Sequence, residues 1–154
     1  MAAALTLVRV WINRWVGAAY FHRDPVAIIA VQGNAAGLLV HPTTSIRFLL
    51  HRLSTLRVGG ATPLDHGLVL ARRLVMQWRD RYPTIDLQVL SDGRSTSSLS
   101  TPKVERAIEA LRRHTRRITV INPQPAARAY AQALAGRLGA GYAETDRSSG
   151  YFEA

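Results

Sequence analysis

The chain contains no cysteine, which excludes disulfides, thiol nucleophiles and thiolate metal sites together. It has no uninterrupted apolar run of the roughly 18 to 20 residues that a bilayer span requires, because Arg9, Arg14 and His22 punctuate its most hydrophobic part. The N-terminus lacks the basic start and small-residue cleavage pattern of a secretory signal. There is no Gly-rich phosphate loop followed by lysine, so nucleotide hydrolysis by this chain alone is not expected. The sequence therefore reads as that of a soluble, cytoplasmic protein. Lysine is scarce as well: Lys103 is the one lysine among 20 basic residues, which face 10 acidic ones. A net charge of +10 would favour nucleic acid if the cations were clustered, but the arginines are scattered from Arg9 to Arg147. The densest group, Arg112, Arg113, Arg116 and Arg117, closes a helical segment, where cations complement the helix dipole. Arginine in place of lysine beside abundant alanine is the mark of GC-rich coding, and no nucleic-acid partner is expected.

What is present is an alternation of elements. With 154 residues, 47% of them apolar, and a mean hydropathy near zero, the chain suits one domain around one core. Residues 2 to 22 carry Leu5, Val8, Ile12, Trp15 and Ala19 at helical spacing, and the turn "RDPV" ends that run. "VAIIAVQG", Val26 to Gly33, is a continuous β-branched run of the kind covered on both faces, with "AAGLLVHP" as its hairpin partner across Gly33 and Asn34. Two amphipathic helices follow, Thr43 to Leu56 and "PLDHGLVLARRLVMQW". Next come a strand at Thr84 to Gly93, a helix in "TPKVERAIEALRRH", a strand in "RRITVINP", a helix in "AARAYAQALAGRLGA" and a short strand in "GYAET". Crossover helices between hydrophobic strands predict an α/β fold with one open, mostly parallel sheet and helices on both faces. Val26 to Val31 and Leu87 to Leu90 are expected to be buried strands, and Trp11, Trp15 and Trp78 core residues. In such sheets ligands bind beyond the carboxyl ends of the strands.

Two polar residues stand where that end is expected. Thr62 lies in "RVGGATPLDHGL", between two glycines and a proline, and Asp92 directly follows the apolar run Leu87 to Leu90. His22, His41, His51, His66 and His114 show no ligand spacing on one helix. Ser91 and Ser95 flank Asp92 without a histidine near them in sequence, so a hydrolase triad has no support. "SDGRSTSSLSTP" reads as a flexible polar loop bordering the site.

On these residues the chain resembles a von Willebrand factor A domain, closest to those of magnesium and cobalt chelatase subunits. "VGGATPLDHGLVLA" is similar to the family's threonine loop and "LQVLSDGRS" to its aspartate loop. "RDPVAIIAVQGNAAGLLVHPT" is similar to its second and third strands and "ITVINP" to its fifth. The resemblance implies a metal-ion-dependent adhesion site in which hard oxygen ligands hold Mg²⁺ and one position stays open for a partner carboxylate or a water. Thr62 and Asp92 would be the metal ligands in this chain. The glycines would then let backbone approach the ion, and Pro63 would start the helix behind it. The first loop of the site, Asp-x-Ser-x-Ser, has no counterpart. It would precede the first helix, and the chain starts at Met1 directly before "AAALTLVRVWINRW". "TDRSSG" offers Asp146 and Ser148 at the right spacing, but Gly150 replaces the second serine, and the segment reads as tail.

The resulting expectations are an N-terminally incomplete von Willebrand factor A-like domain over residues 1–146 and a polar tail over 147–154. The strands Val26–Val31 and Leu87–Leu90 would flank the absent strand and pair directly, leave a gap or accept a strand from another chain, giving a strand-exchanged homo-oligomer. The implied function is that of a Mg²⁺-assisted, non-catalytic module. It would work beside an AAA+ ATPase subunit and a tetrapyrrole-binding subunit in metal insertion into a tetrapyrrole. The alternative is a metal-free protein-interaction domain with a degenerate site. Thr62 and Asp92 should approach each other, and two ligands of about six should bind Mg²⁺ poorly.

Overall fold

In the computed structural model the described residues are 2–56 and 62–145, without the side chains of residues 2–9 and of Trp11. The elements follow the order read from the sequence. They are α1 (Ala2–His22), β1 (Val26–Gln32), β2 (Ala35–Thr43), α2 (Ile46–Ser54), α3 (Leu64–Trp78), β3 (Asp86–Leu90), α4 (Pro102–His114), β4 (Arg117–Asn122), α5 (Arg128–Leu138) and β5 (Gly141–Glu144), with a 3-10 turn at Pro125–Ala127 before α5. Local chemistry fixes the boundaries. Ser45 caps α2 by accepting the Phe48 N–H, and Thr101 caps α4 by accepting the Val104 N–H, each satisfying a donor that the first helical turn leaves unpaired. Gly139 ends α5 in the left-handed conformation. Gly33, at φ 60°, turns the β1–β2 hairpin; Gln32 faces Ala35, so the loop is the two-residue kind that needs such a glycine.

The sheet differs from the expectation. In place of one open sheet there are two: an antiparallel pair β1–β2, and a parallel sheet in the order β3–β4–β5. β1 and β3 do not pair with each other, so of the three arrangements expected for them the described residues show the gap. The consequence is visible in burial. Val26 is buried, but Ala27 to Val31 of β1 and most of β3 are half-buried, because among the described residues each strand has hydrogen-bonded backbone on one side only and its other edge faces the gap. The central strand β4, paired on both sides, buries Ile118, Val120, Ile121 and Asn122.

Two apolar clusters hold the pieces. The larger joins Leu68, Ala71 and Val75 of α3, Val104 and Leu111 of α4, and Leu134 and Leu138 of α5 with Ile118 and Val120 of β4. The smaller joins Val16 and Ala19 of α1, Leu49 of α2, Val26 of β1 and Val40 of β2. Neighbouring residues of β1 divide between them: Ile28 packs against the smaller cluster and Ile29 against the larger. The hairpin is thus covered on both faces, as its unbroken apolar run predicts. Trp15 and Trp78 are only half-buried, at the margin of the packing. Trp11, the glycines of "VGGA" and the tail from Asp146, including Ser148, lie outside the described side chains or residues. Among the described residues no helix is long and apolar enough to cross a membrane.

Candidate functional site

The polar end of β3 is built from two loops. After Leu90 the backbone stays paired for one more residue, Ser91 N–H donating to the Ile121 carbonyl, and the chain then turns through Gly93 at φ 82°. The turn is closed by side chains: Ser91 Oγ accepts the Gly93 N–H at 3.0 Å and Asp92 Oδ1 accepts the Arg94 N–H at 2.9 Å, the local bonding for which Ser and Asp are favoured in turns. The threonine loop meets this turn from the other side. The Thr62 carbonyl accepts the Thr96 N–H at 3.1 Å and the Ser95 hydroxyl at 3.4 Å, and Ser95 Oγ accepts the Leu64 N–H at 3.2 Å. In the first turn of α3, Asp65 accepts the Ser97 hydroxyl. The loops carrying Thr62 and Asp92 are therefore tied together, and the Thr62 carbonyl is the group that ties them.

Burial raises the affinity of the Asp65 carboxyl for a proton, but the Ser97 hydroxyl, the His66 backbone N–H and the His66 charge outweigh it. Asp65 is held below the ordinary carboxylate range and is an anion at neutral pH. Asp92 is engaged differently. The Arg94 guanidinium donates to its Oδ2 from Nε at 2.9 Å and from Nη2 at 2.7 Å, and Nη2 also donates to Gln124 Oε1 at 2.9 Å. The Asp92 contact raises the Arg94 pKa above its ordinary value. Gln124 is in turn anchored through its N–H to Oδ1 of the fully buried Asn122, whose amide donates to the Tyr142 hydroxyl. A polar chain thus runs across the ends of β3, β4 and β5.

Asp65, Ser97, Arg94 and Gln124 were not singled out from the sequence, and Ser95 was noted only as a neighbour of Asp92. Asp65 stands three residues after Thr62 in a first helical turn, a signal that could have marked it. The loop read as flexible is pinned at Ser95 and Ser97. The oxygen donors of Thr62 and Asp92 fit Mg²⁺ in kind. In number they fall short, and Asp92 already has a cation on it. Among the described residues no group of three His, Cys, Asp or Glu side chains could hold a metal ion.

The architecture defines the class. The chain superposes on the SpRpn10 VWA domain with a TM-score of 0.60 over 88% of this chain and 76% of that one, at 10% identity. Its fold is of the von Willebrand factor A type. No protein-family model matches the chain. By sequence it is related in part to magnesium-chelatase subunits. It is 42% identical over 84 residues to the 60 kDa subunit of Cereibacter sphaeroides, covering 54% of this chain and 15% of the subunit. It is 35% identical over 106 residues to the 60 kDa subunit of Rhodobacter capsulatus, covering 62% of this chain and 19% of the subunit. An uncharacterized protein of Mycobacterium tuberculosis is 42% identical over 81 residues, covering 51% of this chain and 13% of that protein. The chain thus spans less than a fifth of the length of each of these relatives.

Proposed function

We propose that this chain is a Mg²⁺-assisted interaction module of a chelatase-type complex, with Thr62 and Asp92 as its metal ligands. Its partners are an AAA+ ATPase subunit and a tetrapyrrole-binding subunit. The observation that carries the reading is the hydrogen-bonded meeting of the threonine and aspartate loops at the carboxyl end of β3, together with the partial relation to chelatase subunits. The ion, when bound, supplies a positive charge that a partner's carboxylate can ligate. The residues of this chain do the rest: Ser95 fixes the distance between the loops, and Gly93 sets the direction of Asp92.

A second reading has its own observation. Arg94 already neutralises Asp92, as a metal-free interaction domain would require. Calorimetric titration with Mg²⁺ and Mn²⁺ separates the two. The first reading expects weak binding by the chain, abolished by Asp92→Ala and strengthened by Arg94→Ala, which removes the competing cation. Titrations without heat for both the parent chain and Arg94→Ala establish the second.

A further inference from the structure

Arginines that are scattered in the sequence converge at the amino end of the strands, the end away from Asp92. Asp86 and Arg117, the first residues of β3 and β4, are paired in register, and the Arg116 N–H donates to the Ile85 carbonyl. The α3–β3 and α4–β4 loops therefore lie side by side. The α1–β1 loop joins them: Asp86 and, more weakly, Asp24 raise the pKa of Arg116. At its other end β1 brings Val31 against Gly67, near the start of α3, so β1 runs the same way as β3. α1, α3 and α4 all finish at this pole.

Arg23, Arg79 and Arg81 thereby join Arg112, Arg113, Arg116 and Arg117, and these seven face four carboxylates, Asp24, Asp80, Asp86 and Glu109. Arg113 pairs with Glu109 and Arg116 with Asp86. The other five arginines are exposed and have no ion pair among the described residues. Helix ends alone do not account for them. Each of the three helix C-termini carries about half a negative charge, less in total than the surplus of seven cations over four anions.

Aromatic side chains stand among these cations. In the last turn of α1 Phe21 is 84% exposed and Tyr20 58%, and Arg81 lies over the Tyr82 ring at 5.6 Å. Arg23 follows at φ 56°, the one described non-glycine residue in the left-handed region. Glycine is usual just past a helix end, so an arginine there retains a side chain that its backbone disfavours. The composition of α1 points the same way. It holds Trp11, Trp15, Tyr20 and Phe21 with Arg9 and Arg14 and no acidic residue, and Asp24 is the one acid before Asp65, against six arginines. Aromatics with arginine and without acid match the headgroup region of an anionic bilayer. Single-stranded nucleic acid is held in a groove that tracks its backbone, whereas Phe21 projects from a helix end.

We propose that this pole is a docking surface for an anionic membrane, with Tyr20 and Phe21 entering the interface and Arg23, Arg79, Arg81, Arg112 and Arg117 on lipid phosphates. The surface lies at the opposite end of the strands from Thr62 and Asp92 and is tested without divalent ions, so its failure and that of the metal reading are distinguishable.

The test is co-sedimentation of the 154-residue chain with vesicles of phosphatidylcholine, with and without about one-third phosphatidylglycerol. Binding to the anionic vesicles alone is expected at about 0.1 M salt, falling steeply by about 0.5 M. Arg81→Ala and Arg117→Ala should each weaken partition about fivefold. Phe21→Ala should weaken it about tenfold and, at so exposed a position, leave the melting temperature within about 2 °C of the parent. Arg106→Ala is the control. It removes the same charge about 12 Å back along α4 from His114, beyond a Debye length of about 8–10 Å, and should leave partition unchanged. No binding at low salt, equal binding to uncharged vesicles, or no loss in Phe21→Ala overturns the proposal. An equal loss in Arg106→Ala shows attraction by net charge alone and overturns it too. A single-stranded oligonucleotide bound more tightly at the same salt, with the same losses in Arg81→Ala and Arg117→Ala, assigns the pole to nucleic acid and refutes the lipid surface.

Discussion

Gly93→Ala is the substitution that most directly probes how the Asp92 turn is held. Gly93 has φ 82°, and a Cβ built there would lie 2.3 Å from the carbonyl carbon and oxygen of Tyr130 and 2.5 Å from the Ala131 nitrogen. Carbon atoms in contact normally sit about 3.5–4.0 Å apart, so either the turn or the backbone of α5 must move. α5 cannot yield easily, because Ala131, Leu134 and Leu138 are buried in the main core. The left-handed conformation costs an L-residue about 1–2 kcal/mol, and overpacking of this kind costs about 1–3 kcal/mol more. The sum, about 2–5 kcal/mol, corresponds to a fall in Tm of roughly 4–20 °C for a domain of this size. Gly136→Ala is the matched control: it lies on the same helix, and no heavy atom comes within 4 Å of its added Cβ. Alanine should be favoured there by about 0.5–1 kcal/mol. Thermal denaturation followed by far-UV circular dichroism reads both. A Gly93→Ala protein that melts within about 2 °C of the parent, or two variants shifting in the same direction, would refute the account of this turn.

Two further outcomes follow from the polar end of the sheet. Because the Asp65 carboxyl is held below its ordinary value, the folded state binds fewer protons than the unfolded one. Its contribution is present above the unfolded value of about 3.9 and is lost as the pH falls through the lower folded value. Asp65→Asn should therefore reduce stability at pH 7 and flatten the decline toward pH 3 in urea unfolding; an unchanged slope would contradict the assignment. Asn122→Ala removes both the acceptor of the Gln124 N–H and the donor to Tyr142 from a fully buried position. The Tyr142 hydroxyl keeps its bond to Glu144, so the Gln124 N–H is the group left unpaired, and at about 1–3 kcal/mol for such a group a loss of about 1–3 kcal/mol is expected by urea titration. A loss under about 0.5 kcal/mol would show that water replaces the amide.

The elements were legible in the sequence because each is written in a local period. Leu64, Leu68, Ala71 and Val75 recur at helical spacing and are buried on one face of α3, and the unbroken run of β1 matches a strand packed on both sides. The division into two sheets was not legible from the strands themselves. Val26–Val31 and Leu87–Leu90 look like interior strands and are so in composition; whether both edges are paired depends on a third segment, which no local pattern in either strand encodes. The site divided in the same way. Thr62 and Asp92 stood out as polar residues on constrained turns. The tie made by Ser95 and the contact of Arg94 with Gln124 depend on side chains reaching across loops some thirty residues apart in sequence, where spacing carries no signal; the pairing of Arg94 with Asp92 is local.

Arg94 governs how available Asp92 is to an ion. Its side chain is more than half exposed and Asp92's is one-fifth exposed, so solvent screens the pair and it gains little net stability from its charge. Its effect is on occupancy: a carboxylate that already accepts two guanidinium N–H groups offers a hydrated divalent ion less than a bare one does. The contact is held by Gln124, which follows the end of β4. Arg94→Ala should accordingly strengthen Mg²⁺ binding in calorimetric titration, and Gln124→Ala, which only loosens the guanidinium, should do so less; no gain from either variant would show that the guanidinium does not limit the access of an ion to Asp92.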